Sequence, residues 1–391
     1  MDWYRTGGER IVTVMETMTD DDTTTLLDWA ASFGPALGEH AEHYDREGKW
    51  VSESYEALVD GGLLGLAVPV ELGGRGASIP QVALVMRELG RHCGSTALAM
   101  SMHQHATAFT AWRYRRGLPG AELTLRRVVD DGLVIASTGG GDATMPQGEA
   151  TKVDGGYRLS GRKRFVSQSL RASVMSSMFT YDDPERGTRV LNMAVPFGDG
   201  VTVLDNWDTM GMRGTASNDV VIDGVFVPDE RVLADRPYGV VDGPLQVIFS
   251  IGLSIISAVY LGVMDGALDA AIAAVGPADD LTTQRRVGLM AHRRQVAAWA
   301  LDGALAVVGN DPAPSMEMLA AVMAAKREIA LAGVEVCDLA QETVGGRSYF
   351  RGSPIERAVR DIRAAKMHPF DPEATLIQCG RLALGRPCDV V

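Results

Sequence analysis

The chain has 391 residues, 46% hydrophobic and 22% charged, a globular balance that excludes a disordered, collagen-like or disulfide-scaffold protein. Fifty acidic against 37 basic residues leave a formal charge of −13, which argues against a general nucleic-acid binder because neutralising phosphates requires a net basic surface. At roughly 150 residues per domain, this length predicts two or three domains with a large core.

The N-terminal segment MDWYRTGGERIVTVMETMTDDDTTT has no apolar h-region, so no secretory signal is read there. From about Asp22 to Asp131 the pattern is helical. Leu26, Leu27, Trp29, Ala30 and Phe33 recur at helical spacing behind Asp22 and a run of capping threonines. Residues 50–59 predict a second helix stopped by Gly61 and Gly62, residues 79–90 a third, and residues 95–114 a fourth that carries His103 and His105. From about 133 to 232 the texture changes. The segments 133–137, 157–163, 174–181, 191–195 and 220–227 are short, alternating and bounded by Gly, Pro and Asp, as the strands of a barrel or sandwich are. Beyond Pro244, apolar-periodic runs at 244–275, 284–308, 315–343 and 353–367 are separated by turn signals and predict an antiparallel four-helix bundle. The expected architecture is a multidomain α+β chain: an arm over 1–21, a helical domain over 22–132, a central β-barrel domain over 133–235 and a C-terminal helical bundle over 236–391.

Residues 245–264 carry no charge and are long enough to cross a bilayer. Their Ser and Gly content, and their continuation into Asp265, Ala267 and Asp269, favour a buried central helix, so no membrane is expected. The four cysteines, Cys93, Cys337, Cys379 and Cys388, form no CxxC pair, and no His lies between the last two. That spacing argues against zinc or any other metal centre and suits free thiols in a reducing cytoplasm. The Gly139–Gly141 run lacks the strand–turn–helix context of a dinucleotide fold, and Walker A, HExxH and GxSxG motifs are absent.

Four segments in sequence carry a family resemblance. Gly65-Leu-Ala-Val-Pro-Val-Glu-Leu-Gly-Gly-Arg-Gly76 is similar to a G-x-x-x-P-x-x-x-G-G-x-G loop. Gly156-Tyr-Arg-Leu-Ser-Gly-Arg-Lys-Arg-Phe-Val-Ser-Gln-Ser169 is similar to a G-x-K-x-W-I-T-N strand. Trp207-Asp-Thr-Met-Gly-Met-Arg-Gly-Thr-Ala-Ser217 with Val225-Phe-Val-Pro228 matches a G-x-R-x-T-x-S and V-x-V-P pair. Gln341-Glu-Thr-Val-Gly-Gly346 precedes Arg357 and Arg360-Asp361. Together they resemble the acyl-CoA dehydrogenase superfamily of flavoproteins over about residues 22–386. The resemblance implies a flavin, FAD or FMN, and a homodimer or homotetramer. A flavin ring needs a flat apolar wall and a few hydrogen bonds at its polar edge. Phe165 would be the wall where the family usually has Trp. Ser167, two residues on and expected on the same side of the strand, would donate to a ring nitrogen such as N5. Thr138 lies in the run that stands where the family's flavin-contacting T-E-P-x-x-G-S-D stands. Gln341, Gly345 and Gly346 would approach the cofactor of a neighbouring subunit.

The sequence departs from the family at its base. The glutamate that removes the substrate's α-proton in most members aligns with Pro369, and that of a second subgroup aligns near Gly252; neither is acidic. The arginines expected to grip pyrophosphate and to face CoA align with the segment Val275-Gly-Pro-Ala-Asp-Asp280 and with Leu253, so cations are lost where phosphates would sit. The tail Arg360-Asp-Ile-Arg363-Ala-Ala-Lys-Met-His368 is instead similar to the superfamily's flavin monooxygenase branch, where an R-x-x-R segment precedes a His near the flavin. His368 is therefore the first catalytic candidate, with His103 on the fourth helix and Glu373 as a displaced base. Three readings stay open: oxidation of the CH–CH group of an acyl thioester with a non-standard base, oxygen-dependent hydroxylation of a small molecule by reduced flavin, or an acyl- or flavin-binding homologue without catalysis.

Overall fold

The computed structural model describes residues 21–386. Apart from its last residue, the arm expected over 1–21 lies outside the described residues, as does Cys388. The N-terminal helices are α1 (Asp21–Ala31), α2 (Gly34–Glu47), α3 (Ser52–Asp60), α4 (Ile79–His92), α5 (Gly94–Tyr114) and α6 (Ala121–Asp130). The start of α4 is fixed by a capping box: the Ser78 hydroxyl accepts from the Gln81 N–H and the Gln81 side chain accepts from the Ser78 N–H. α5 is buried on nearly every face, which is why its apolar pattern shows no amphipathic stripe.

The middle of the chain is β1 (Ile135–Ser137), the short helix α7 (Gly140–Thr144), β2 (Glu149–Val153), β3 (Gly156–Val166), β4 (Val174–Asp183), β5 (Gly187–Pro196), β6 (Val201–Val203), β7 (Asn218–Pro228) and β8 (Val232–Pro237). The strands pair in the order β6-β7-β3-β2-β4-β5-β8, and β1 adds to β4 in parallel. The expected barrel is corrected here: the sheet is not closed. Among the described residues β6 and β8 are free edges, and the two halves join only at the single pair Glu149↔Thr180. Inward side chains of both halves, among them Leu159, Phe179, Met193 and Val220, still form one core.

The C-terminal part is α8 (Gly243–Val275), α9 (Leu281–Val308), α10 (Met316–Val344), α11 (Pro354–Asp361) and α12 (Pro372–Ala383). The fourth expected bundle helix is short, because after Asp361 the chain tightens into a 3₁₀ turn at Ile362–Lys366 and then leaves the helix before Pro369. The charge-free stretch is α8. It starts at Asp242, whose carboxylate caps the Leu245 N–H, and it runs buried against α4, α5 and α10, which makes it a core helix. Glycines let α4 and α8 touch backbone to backbone. A Cβ on Gly262 would stand 2.1 Å from the Arg87 carbonyl oxygen, and one on Gly90 would stand 2.5 Å from that of Val259. A buried bridge from Asp265 to Arg87 (2.7 Å) and Arg294 (2.6 Å) joins α8 to α4 and α9.

This packing gives two glycine substitutions of opposite sign. Gly262→Ala must push α4 away from α8 and should destabilise by about 2–3 kcal/mol, as overpacking does. Gly288→Ala, in α9 with open space around the added methyl, should stabilise by about 0.5–1 kcal/mol through helix propensity. Urea midpoints of the two variants check both values.

Candidate functional site

The site begins with a lysine inside a strand. Lys163 of β3 is wholly buried, and its Nζ donates to Asp142 Oδ1 (2.9 Å) and Oδ2 (3.1 Å) and to the Met178 carbonyl, over the face of Phe179. Asp142 also accepts from the Thr138 hydroxyl (2.8 Å) and the Gln147 N–H (2.7 Å). Arg236, itself buried, donates to the Ala143 carbonyl. The loop 138–144 is thereby fixed by charge from within. Burial lowers the pKa of Lys163 and the Asp142 carboxylate opposes that shift.

Two residues beyond Lys163 the strand changes course. Lys163 pairs with Val220 and Val166 with Asn218, so β3 carries one extra residue there, a β-bulge. Within the bulge Phe165 takes φ +56° and presents its ring outward, 61% exposed, edge-on to Trp207. Gln168, Met212 and Ala216 also have positive φ, the other three non-glycine cases among the described residues, and all lie in the facing turns 165–168 and 212–216. Such strain persists only where surroundings hold it. Here the Gln168 N–H donates to the Thr215 carbonyl (2.8 Å), the Gln168 side chain bridges Tyr55 and the Ile135 carbonyl, and the Met212 N–H donates to Asp361 (2.5 Å). Burial raises the pKa of that Asp361 carboxyl to about 6.

The bulge also corrects the expected placement of Ser167. It does not share the face of Phe165 but is buried, with its hydroxyl 2.8 Å from Ser217 Oγ. Ser217 lies 2.7 Å from Thr215 Oγ1, and Thr215 donates to the Met212 carbonyl (3.0 Å). With the Thr215 proton engaged, Ser217 must donate to Thr215 and Ser167 to Ser217. The lone pairs of Ser167 stay available, so the hydroxyl is set to accept rather than to donate.

Further contacts close a circuit. A Cβ on Gly139 would touch Phe165, and one on Gly140 would stand 2.5 Å from Pro369, which succeeds His368 in the chain. Phe370 meets Phe249 of α8 edge-on, and the His368 ring meets Tyr260. Gly252, one turn from Phe249, faces His105 of α5, and Met102, one turn from His105, receives the Ser137 hydroxyl on its sulfur. The 138–141 loop, Phe165, α5, α8 and the 368–370 segment are thus walls of one site. The last wall is held by Lys326 of α10, whose buried ammonium donates to the carbonyls of Ala365 (3.1 Å), His368 (2.9 Å) and Phe370 (2.7 Å). Burial lowers its pKa to about 8.

The sequence candidates fall in different places. Thr138, Phe165 and His368 lie on the segments that touch here, and Ser167 lies buried behind the bulge against Ser217. His368 is half-buried with no hydrogen bond to its ring among the described residues, and burial together with the Lys326 ammonium lowers its pKa to about 4. His103 is a strut. The Ile135 N–H donates to its Nδ1 (3.1 Å), so Nε2 carries the proton and donates to the Leu64 carbonyl (3.0 Å). It presents no free nitrogen. Glu373 lies in the exposed first turn of α12, where Asp371 caps the helix, and is not brought to the site. Gln341 is towards the far end of α10, about 22 Å along the helix from Lys326 at 1.5 Å per residue, and Gly345 and Gly346 follow in the 3₁₀ turn beyond it. Sequence reasoning gave Asp142, Lys163 and Trp207 no role. The visible signal was Lys163, a charge at an inward position of an alternating strand.

A ring of flat aromatic surface, small residues and hydroxyls fits an isoalloxazine: Phe165 and Trp207 as the wall, the Cβ-free Gly139–Gly140 backbone as a close neighbour, and Ser167 at the edge. No three His, Cys, Asp or Glu side chains converge as a metal site among the described residues. Comparison with known proteins agrees with a flavin enzyme. Models of the N-terminal, middle and C-terminal domains of acyl-CoA dehydrogenase match residues 21–114, 136–225 and 254–371. The amino sugar nitrososynthase DnmZ of Streptomyces peucetius is 29% identical over 92% of this chain and 93% of its own. A pigment production hydroxylase of a Rhodococcus species is 28% identical over 94% and 98%. A solved structure of KijD3 in complex with FMN and a dTDP-linked amino keto sugar superposes with TM-score 0.86 at 27% identity, covering 95% and 96%.

Two outcomes are expected. Asp142→Ala leaves the Lys163 ammonium buried and unpaired and should destabilise by about 3–5 kcal/mol in urea unfolding. His103, His105 and His368 each have a folded pKa lowered from 6.5 to about 4 by burial. The unfolded chain therefore binds more protons in that window, so stability should fall as pH drops from 6.5 towards about 4, and these rings should add no further loss below it. Urea midpoints measured across that window check the sign.

Proposed function

The chain belongs to the acyl-CoA dehydrogenase family of flavin enzymes, and from that premise we propose that it is a flavin-dependent monooxygenase, using reduced FMN and oxygen to hydroxylate a small nitrogen- or oxygen-bearing molecule. The observation that carries this reading is the absence of a usable carboxylate among the described residues of the site. Gly252 faces a histidine, Pro369 packs on Gly140, both oxygens of Asp142 are engaged by Lys163, Thr138 and Gln147, and Asp361 is buried and accepts from the Met212 N–H. Removing a proton beside a thioester requires a positioned base of suitable strength. His368, whose pKa burial and the Lys326 ammonium lower to about 4, is a neutral imidazole that can orient or exchange a proton beside an oxygen-reacting centre.

Reduced flavin, when bound, supplies the two electrons that activate oxygen. The protein's own groups do the rest. Phe165 and Trp207 support the ring, and the acceptor hydroxyl of Ser167 matches the N–H that the central ring carries at N5 only when reduced. His368 lies on the far wall, oriented by the Lys326 bonds to its backbone and by the Tyr260 ring. The FMN in the KijD3 complex and the nitrososynthase and hydroxylase names of relatives support the same reading. Gln341, Gly345 and Gly346, distant from their own chain's site, are proposed to meet the flavin of a second subunit.

The test has two arms. Mixed anaerobically with acyl-CoAs of graded length, the FMN-loaded protein should stay yellow. Supplied with reduced FMN from a separate reductase, oxygen, and a panel of amino sugars (free and nucleotide-linked) and alkyl amines, it should form a hydroxylated product that His368→Ala reduces by about 100-fold, the scale of a lost acid–base group. Bleaching by an acyl-CoA, or no oxygenated product from any member of the panel, would reject the reading.

A further inference from the structure

His105 is a second histidine of the site, and its two nitrogens are used differently. Nδ1 lies 3.2 Å from the Ser101 carbonyl one turn back on α5. A carbonyl only accepts, so Nδ1 carries the proton and Nε2 is left with a bare lone pair. The Nδ1 bond pins one edge of the ring along the helix, and the Cγ–Cδ2 side of the ring lies next to Gly252 of α8. A Cβ on that glycine would stand 3.6 Å from both Cδ2 and Cγ. Among the described residues Nε2 makes no hydrogen bond, yet it is not sealed off as the unpartnered hydroxyls of Ser254, Ser257 and Tyr260 are.

His103, two residues earlier, is placed differently. That ring commits both nitrogens to backbone groups and only braces α5 against β1. His105 commits one. A lone pair that is open to the site and unfilled by the chain can take a donor from outside it. Met102, one turn away on the same face, takes the Ser137 hydroxyl just before Thr138, and Phe249, one turn from Gly252, reaches Phe370 beside His368. The free edge of His105 is therefore bounded by the same walls as the proposed flavin site.

We propose that His105 is the specificity-determining residue of this site, and that its Nε2 accepts a hydrogen bond from an N–H or O–H of the substrate. The substrate is accordingly a neutral small molecule that offers a hydrogen-bond donor next to its reacting atom, as an uncharged amine or a hydroxyl does. Burial keeps the ring neutral over the ordinary pH range, which preserves the lone pair. The inference rests on the monooxygenase reading for the chemistry of the bound substrate, but binding itself is independent of oxygen chemistry.

The test uses matched probes on the FMN-loaded protein and reads binding alone, by calorimetry: phenol against anisole, and indole against 1-methylindole. Each pair differs by the donor and little else. The donor member should bind at least tenfold more tightly to the unaltered protein. His105→Phe should abolish that preference while anisole and 1-methylindole bind as before, and His105→Gln, whose amide oxygen again accepts, should restore part of it. A thermal melt of each variant shows that it is folded. The ¹⁵N resonance of His105 Nε2 should shift on addition of phenol and not of anisole. Equal binding within the pairs, binding of no donor probe, or a preference that survives His105→Phe would overturn the proposal. Failure of hydroxylation with this preference intact would instead count against the monooxygenase reading alone.

Discussion

Enclosing the Lys163 ammonium inside a strand sets the terms for the rest of the site. A cation taken wholly out of water needs a counter-charge and saturated hydrogen bonds, or it destabilises the fold by several kcal/mol. The counter-charge comes from Asp142, which has to be carried in by the segment after β1. That segment passes so close to Phe165 and Pro369 that glycines, Gly139 and Gly140, stand at the two contacts. One ion pair thus fixes the 138–144 loop, sets Thr138 at its carboxylate and brings the loop against both the aromatic wall and the His368 segment. Strain at Phe165 and Met212 is supported by the same framework, with Gln168 and Asp361 supplying the hydrogen bonds that hold it.

The chemistry of the site depends on what burial does to its titratable groups. Its side chains with a lone pair left over are neutral: the imidazoles of His105 and His368 and the hydroxyl of Ser167. Of the carboxyl groups described there, Asp142 is committed to Lys163 and Asp361 to the Met212 N–H. A site of that composition orients polar groups and exchanges single protons, but it is poorly suited to pulling a proton from carbon. The same fold serves carbon–carbon oxidation elsewhere in the family, so the distinction lies in a few positions on α5, α8 and the 368–370 segment and not in the architecture.

Much of this was legible in the sequence. Helices α3, α4, α9 and α10 follow from apolar spacing and caps, and α5 and α8 from long uncharged runs buried on nearly every side. The Gly, Pro and motif residues at 65–76, 156–169 and 207–217 pointed to the family. What was not legible depends on contacts between distant segments. An open sheet differs from a closed barrel only in whether its edge strands meet. The bulge that separates Ser167 from the face of Phe165 breaks the two-residue period on which that expectation rested. His103 and His105 look equivalent in sequence; only Ile135, Leu64, Ser101 and Gly252, brought in from elsewhere, make one a brace and leave the other with a free nitrogen. Glu373 was attractive as the nearest acid to a missing base, but Asp371 and Pro372 start a helix there and turn it to solvent.

The central claim is that the site is made for a reduced flavin that meets oxygen, not for an oxidised flavin that takes hydride from an acyl chain. The most direct measurement is the anaerobic affinity of the protein for FMN in its two redox states. With Ser167 as an acceptor at N5, reduced FMN should bind more tightly by about tenfold, the equivalent of 1.4 kcal/mol. Tighter binding of oxidised FMN would contradict the account.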